Sequence, residues 1–138
     1  MSPFKDLEKS EPNEKLFDIP PLAMDAKGLA KDFQRYYANT LGRDSDCHSA
    51  YYPYRALAIV MRDRLMERWK RTRQAHDKAD CKRTHYLSLE FLMGRALCNA
   101  MLNLGIGNEV ERGLYDMGLL LEEISSSAPD AGLGNGGL

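Results

Sequence analysis

YYPYRALAIVMRDRLMERWKRTRQAH, residues 51–76, is the longest periodic stretch of the chain, and the reading of everything around it starts there. Leu57, Met61, Leu65 and Trp69 recur every four residues, with Ala58 and Met66 beside them, which predicts the buried stripe of a long helix. Arg62, Arg64, Arg68, Lys70, Arg71 and Arg73 occupy its other faces. At 1.5 Å per residue such a helix is about 37 Å long, enough to cross a whole small domain. Upstream, Leu29, Phe33, Tyr36 and Thr40, widened by Tyr37 and Leu41, predict a helix over Lys27 to Leu41. GRDSDCHSA, residues 42–50, breaks the period with small polar residues and reads as a loop. Residues 1–24 are polar, carry Pro3, Pro12, Pro20 and Pro21, and read as a flexible or loosely docked tail.

Downstream, THYLSLEF at residues 84–91 alternates Tyr86, Ser88 and Glu90 on one side with Leu87, Leu89 and Phe91 on the other. That alternation predicts a strand. A single strand forms no sheet, so its partner is expected outside this chain. A helix follows from Gly94 to Leu104, with Leu97, Met101 and Leu104 inward and Gly105 and Gly107 ending it. Asn108 reads as the N-cap of the next helix, with Glu111 completing a capping-box-like pair; Val110, Leu114 and Met117 face the core, and Gly118 stops it. A last turn or two covers Leu119 to Ile124. The methionines Met61, Met66, Met93, Met101 and Met117 fall at helical core spacing and read as core filling. The expected class is mainly α with one or few β-strands.

Composition excludes several functions. Of 138 residues, 43% are hydrophobic and 28% charged, with a net charge of −1 and a pI near 6.3, which suits neither nucleic acid nor a membrane surface. Residues 62–83 do concentrate charge, nine Lys and Arg against four Asp and Glu, a local +5. A solvated helix face with partial ion pairing is the simpler reading, and an anion or subunit contact the other. Cys47, Cys81 and Cys98 are odd in number, lack a CxxC and gain no metal spacing from His48, His76 and His85, so reduced thiols and no metal site are expected. The N-terminus has no signal-peptide core, and no apolar run could cross a bilayer, so a cytoplasmic protein is expected.

The chain closes on Asp130-Ala131-Gly132-Leu133-Gly134-Asn135-Gly136-Gly137-Leu138. Successive amides in such a segment can converge on an anion, and its glycines let the backbone approach a ligand closely. Gly132, Gly134 and Gly137 formally satisfy G-x-G-x-x-G, but the preceding SSSAPD is no buried strand, which argues against a dinucleotide site. On composition alone a plain flexible turn would lead.

HYLSLEFLMGRALCNAMLNLG, residues 85–105, closely resembles the signature block of the α-glucan (glycogen/starch) phosphorylases. DAGLGNGGL resembles that family's glycine-rich motif at its expected distance downstream, and MRDRLMERWKRT, residues 61–72, resembles the basic helix before the block. The resemblance runs from about Tyr51 to Leu138, is weaker over residues 25–50 and fails for about the first 24.

It implies that residues 25–138 are the helical N-terminal part of the first domain of a two-domain, Rossmann-like enzyme of glycosyltransferase-B type. The orphan strand and an end within the motif are what a fragment would show, and such a fragment is expected to be inactive alone. The implied reaction is phosphorolysis: orthophosphate cleaves the terminal α-1,4 bond of a glucan and gives glucose 1-phosphate. The family's cofactor is pyridoxal phosphate, held mainly by a lysine in the C-terminal domain; the family is usually a homodimer.

Gly136, Gly137 and Leu138 match positions whose backbone faces phosphate and glucose. Asn135 matches a position in the same binding loop, and Asp130, Gly132 and Gly134 shape it. Glu90 matches a carboxylate lining the cleft, either orienting water or a sugar hydroxyl or serving as a structural acceptor. Leu92 stands where other members carry an aromatic or another aliphatic residue. Asp77 stands where animal members stack AMP on a tyrosine, and Ser2 and Ser10 lie outside any basic phosphorylation motif, so no AMP activation of the animal type is expected. The alternative is a small helical module for subunit contact or anion binding, without catalysis.

Overall fold

Leu29 and Phe33, four residues apart, turn one face of a helix inward, and α1 (Ala26–Arg35) forms on that spacing. The computed structural model describes residues 19–91, 93–132 and 134. Helix α1 runs on into a π-helical turn, Tyr36–Thr40, in which the Leu41 amide donates to the Tyr36 carbonyl at 2.9 Å. After the loop over residues 42–50 comes α2 (Tyr51–Ala79), 29 residues long and three residues longer than its periodicity predicts. Three short helices follow: α3 (Ala96–Leu104), α4 (Gly107–Tyr115) and α5 (Leu121–Ser126).

The core lies where these helices wrap the first half of α2. Ala56, Leu57, Val60 and Met61 of α2 meet Leu29 and Phe33 of α1, Leu97, Met101 and Leu104 of α3, Val110 and Leu114 of α4, and Ile106 and Ile124. Helices α1 and α4 approach closely because Gly113 has no side chain: a Cβ there would stand 2.8 Å from the Ala26 carbonyl oxygen. The second half of α2 departs from the predicted stripe. Leu65 is 39% and Trp69 56% exposed, and Met66 and Met93 are also in solvent. Beyond Glu67 every residue of α2 is exposed, Arg68 alone reaching the carbonyls that end α3, so the helix, expected to be long enough to cross the domain, runs on past the core. Met61 and Met101 do fill the core.

Arg64 takes the buried place instead. It is 1% exposed, one turn beyond Val60 and Met61 on the same helix face. Its Nε donates to the Ala23 carbonyl at 3.0 Å, its Nη1 to Val60 at 3.2 Å and its Nη2 to Asp32 Oδ2 at 2.9 Å. The guanidinium therefore joins α2 to α1 and to the chain before it. Glu67 accepts the Leu22 amide at 3.1 Å and Glu109 the Ala26 amide at 3.1 Å, so residues 22–26 are held from two sides.

Two expected boundaries change. Asn108 caps nothing; α4 begins at Gly107 with Ile106 before it and no side-chain cap. Gly105, not Gly107, ends α3, in the left-handed conformation (φ 71°) that a residue without Cβ adopts at little cost. The predicted strand over 84–91 does not form. Among the described residues no strand is present, only an isolated bridge at Phe91. The physical reason is that an extended segment needs a neighbour to pair its amides and carbonyls. Leu87 and Leu89 accordingly stand 90% and 89% exposed.

The Tyr36 hydroxyl donates to Asp63, which raises the phenol above its usual 10.0, with burial adding to the effect. A raised value in the folded state means that this stability is complete below the ordinary phenol value and is lost as pH rises through the raised one. Tyr36→Phe is therefore expected to be about 1–2 kcal/mol less stable at neutral pH. Urea midpoints recorded across pH should show that gap closing above pH 10.

Candidate functional site

Glu90 lies in the irregular segment that follows α2, just after a bend at Leu89, and its setting is made by two neighbours. The Ser88 hydroxyl accepts the Glu90 amide at 3.1 Å and donates to the Glu90 carbonyl at 2.6 Å. The glycine-rich segment then returns across it. Gly134 has φ +70°, and a Cβ there would run into the Leu89 carbonyl oxygen and come within 3.4 Å of Glu90 Cγ. Only glycine meets both conditions, since an L side chain is disfavoured at that φ and has no room. Two further bonds hold the turn: the Ala131 amide donates to Gly94 at 2.9 Å, and the Gly132 amide donates to Asp130 Oδ1 at 3.0 Å.

The structure thus brings Glu90, Asp130, Gly132 and Gly134 into one cluster from segments some forty residues apart. Asn135, Gly136, Gly137, Leu138 and Leu92 lie outside the described residues. Ser88, which contacts Glu90 twice, was not singled out from the sequence as a site residue; a serine two residues before Glu90, the spacing of a local serine turn, was the available signal.

Asp77 sits elsewhere, exposed on the projecting part of α2, where its carboxylate pairs with Arg83. Much of the local positive charge is spent on internal contacts. Arg64 is buried, and Arg68 donates to the Asn103 and Leu104 carbonyls at 3.0 and 2.8 Å, capping α3. Arg71 pairs with Glu67, and Arg73 lies 5.6 Å over the Trp69 ring. A shallow hollow of about 300 Å³ lined by Trp69, Thr72, Arg73, His76 and Arg83 lies beside them.

A lysine that forms a Schiff base must be sheltered from water for its amine to stay neutral and reactive. Lys27, Lys31, Lys70, Lys78 and Lys82 are all exposed, so none of them is sheltered as a Schiff-base lysine for pyridoxal phosphate would be. Among the described residues no three His, Cys, Asp or Glu side chains converge as a metal centre would, and no helix is long and apolar enough to cross a membrane.

No protein-family model matches the chain. The brain form of glycogen phosphorylase from Bos taurus is 46% identical to it over 114 residues, 83% of this chain and 14% of that protein. The muscle form from Homo sapiens is 46% identical over 110 residues, 80% of this chain and 13% of that protein. Over this stretch the chain belongs to the glycogen phosphorylase family. It spans about one-seventh of the length of the curated relatives it matches. Membership gives the cluster of Glu90 and Gly134 its interest, because both fall in the two phosphorylase-like motifs, and the fold packs those motifs against each other.

Proposed function

We propose that this chain is the N-terminal part of an α-1,4-glucan phosphorylase. In the reaction an orthophosphate oxygen bonds to C1 of the terminal glucose as the C1–O bond breaks, and the departing 4-oxygen takes up a proton. The observation that carries the reading is the seating of Gly134 against Leu89 and Glu90, supported by the 46% identity.

In this reading the amides of Gly136, Gly137 and Leu138 face phosphate and glucose. Fixed N–H donors stabilise an anion with little reorganisation during the reaction. Asn135 completes that binding loop, Asp130, Gly132 and Gly134 shape it, and Glu90 lines the cleft, orienting water or a sugar hydroxyl. The cleft itself would lie between two Rossmann-like domains, with residues 1–24 as a tail whose last residues, 22–24, dock on α2 and the core. Pyridoxal phosphate would be held by a lysine beyond these residues, and no step here is routed through it. A cytoplasmic homodimer acting on glycogen, starch or maltodextrin completes the proposal, with the 138 residues inactive alone.

The test is to assay the whole protein that carries this chain for glucose 1-phosphate released from glycogen and orthophosphate. Release dependent on both substrates supports the reading; none, with the protein folded and cofactor supplied, defeats it. AMP is expected to raise that activity by less than about twofold, because Asp77 is paired with Arg83 and offers a nucleotide neither a stacking face nor a favourable charge. A dose-response showing strong AMP activation would count against that assignment.

A further inference from the structure

We infer that Gly94 is a positioning residue for the reaction: its left-handed backbone presents its carbonyl to the Ala131 amide and so ties the glycine-rich turn to the helical core. The inference rests on the proposed phosphorylase function. Gly94 has φ +64°, and a Cβ built on it would meet nothing within 4 Å. Space therefore places no demand on this position; backbone conformation does. The left-handed residue falls just before α3, whose Leu97, Met101 and Leu104 are buried in the core. The carbonyl it presents accepts the Ala131 amide at 2.9 Å. Of these two consecutive amides in the turn, that of Gly132 is satisfied within it, by Asp130 Oδ1 at 3.0 Å, and that of Ala131 by Gly94 from a distant segment.

That bond is one end of a two-point seat. At the other end Gly134 lies against the Leu89 carbonyl and the Glu90 side chain. The later residue of the turn meets the earlier residues of its neighbour, so the two segments pass each other in opposite directions, and the isolated bridge at Phe91 falls between the two contacts. A single contact would fix one point and leave the turn free to swing about it. Two contacts at opposite ends also fix its direction. On the proposed function the amides that face phosphate follow this seat along the chain, so its direction decides where they point. Gly94 touches none of those amides, and its influence passes through Ala131.

The experiment compares Gly94→Val, Gly94→Ala and Gly94→Asn with the unmodified whole protein, cofactor bound. With open space at position 94, the three differ in how readily they adopt left-handed backbone, worst for β-branched valine and best for asparagine. Gly94→Val is expected to lower kcat/KM for phosphate about tenfold, with KM for phosphate raised, in keeping with small misplacements of binding groups. KM for glucan should stay within about twofold. Gly94→Ala should fall between, and Gly94→Asn should keep most of the parent value. Hydrogen exchange at the Ala131 amide should quicken in the same order. Gly94→Ala read against Gly94→Asn carries the comparison should valine not fold. A role in folding alone would shrink the active fraction, lowering kcat with both KM values unchanged. That result, unchanged phosphate kinetics in Gly94→Val, an asparagine variant no better than valine, or unchanged Ala131 exchange would each overturn the inference alone. Absence of phosphorolysis in the unmodified protein would instead overturn the functional reading beneath it.

Discussion

Asp32→Ala is expected to lower the unfolding free energy by about 3 kcal/mol, the range in which a buried ion pair loses one partner. Arg64 stays behind at 1% exposure, with no route for its charge to reach water. Its two carbonyl partners, Ala23 and Val60, satisfy its protons but carry no charge to balance it. Asp32 itself keeps 17% of its side chain exposed and lies 3.4 Å from Arg35, which is why the estimate sits at the low end. Urea denaturation at neutral pH reads the effect. Because the pair is sheltered, the difference should persist in high salt, where an exposed pair would be screened. The double variant Asp32→Leu, Arg64→Met should recover much of the loss, since well-packed apolar replacements of a buried pair are often neutral or better. A loss below about 1 kcal/mol for Asp32→Ala would show that the carbonyls alone stabilise Arg64.

Position 64 also shows where a reading of the sequence runs short. Leu57 and Met61 were expected inside and are, because the period of 3.6 residues holds wherever another helix covers the face. The same period continues to Leu65 and Trp69, yet both are exposed. Periodicity describes a face and is silent on how far its cover extends; with α1, α3 and α5 packed on α2, its buried residues end at Arg64. Arg64 was grouped with the solvent-facing arginines because charge outweighed position, although it lies seven residues from Leu57 on the same side. What made its burial possible, the Ala23 carbonyl and Asp32, comes from segments about forty and thirty residues away and leaves no local mark. THYLSLEF failed for a related reason: its alternation is genuine, but a strand exists only with a partner. In the candidate site the chemistry-bearing residues Glu90, Asp130, Gly132 and Gly134 were legible as motifs, while their contact with one another, and the part of Ser88 in it, required the fold.

That contact makes Gly134→Ala the substitution with the largest expected effect on activity. Two independent conditions forbid a side chain at residue 134. Its φ of +70° costs an alanine about 1 kcal/mol or more, and its Cβ would meet the Leu89 carbonyl oxygen, a backbone atom that cannot rotate aside. The turn must therefore lift from Leu89 and Glu90 or change conformation. On the proposed function, either movement would carry the amides expected to face phosphate away from it. Displacement of about 1 Å at such a site can cost on the order of a hundredfold in rate. Phosphorolysis by the whole protein is accordingly expected to fall at least that far in kcat/KM for phosphate. The helical core should be untouched, because none of its residues lies on the turn. Thermal unfolding of the variant within about 2 °C of the parent, together with the lost activity, would place the effect in the site and not in the fold. Activity within threefold of the parent would mean that the turn accommodates a methyl group by another route, and the seating of Gly134 on Glu90 would then carry no catalytic weight.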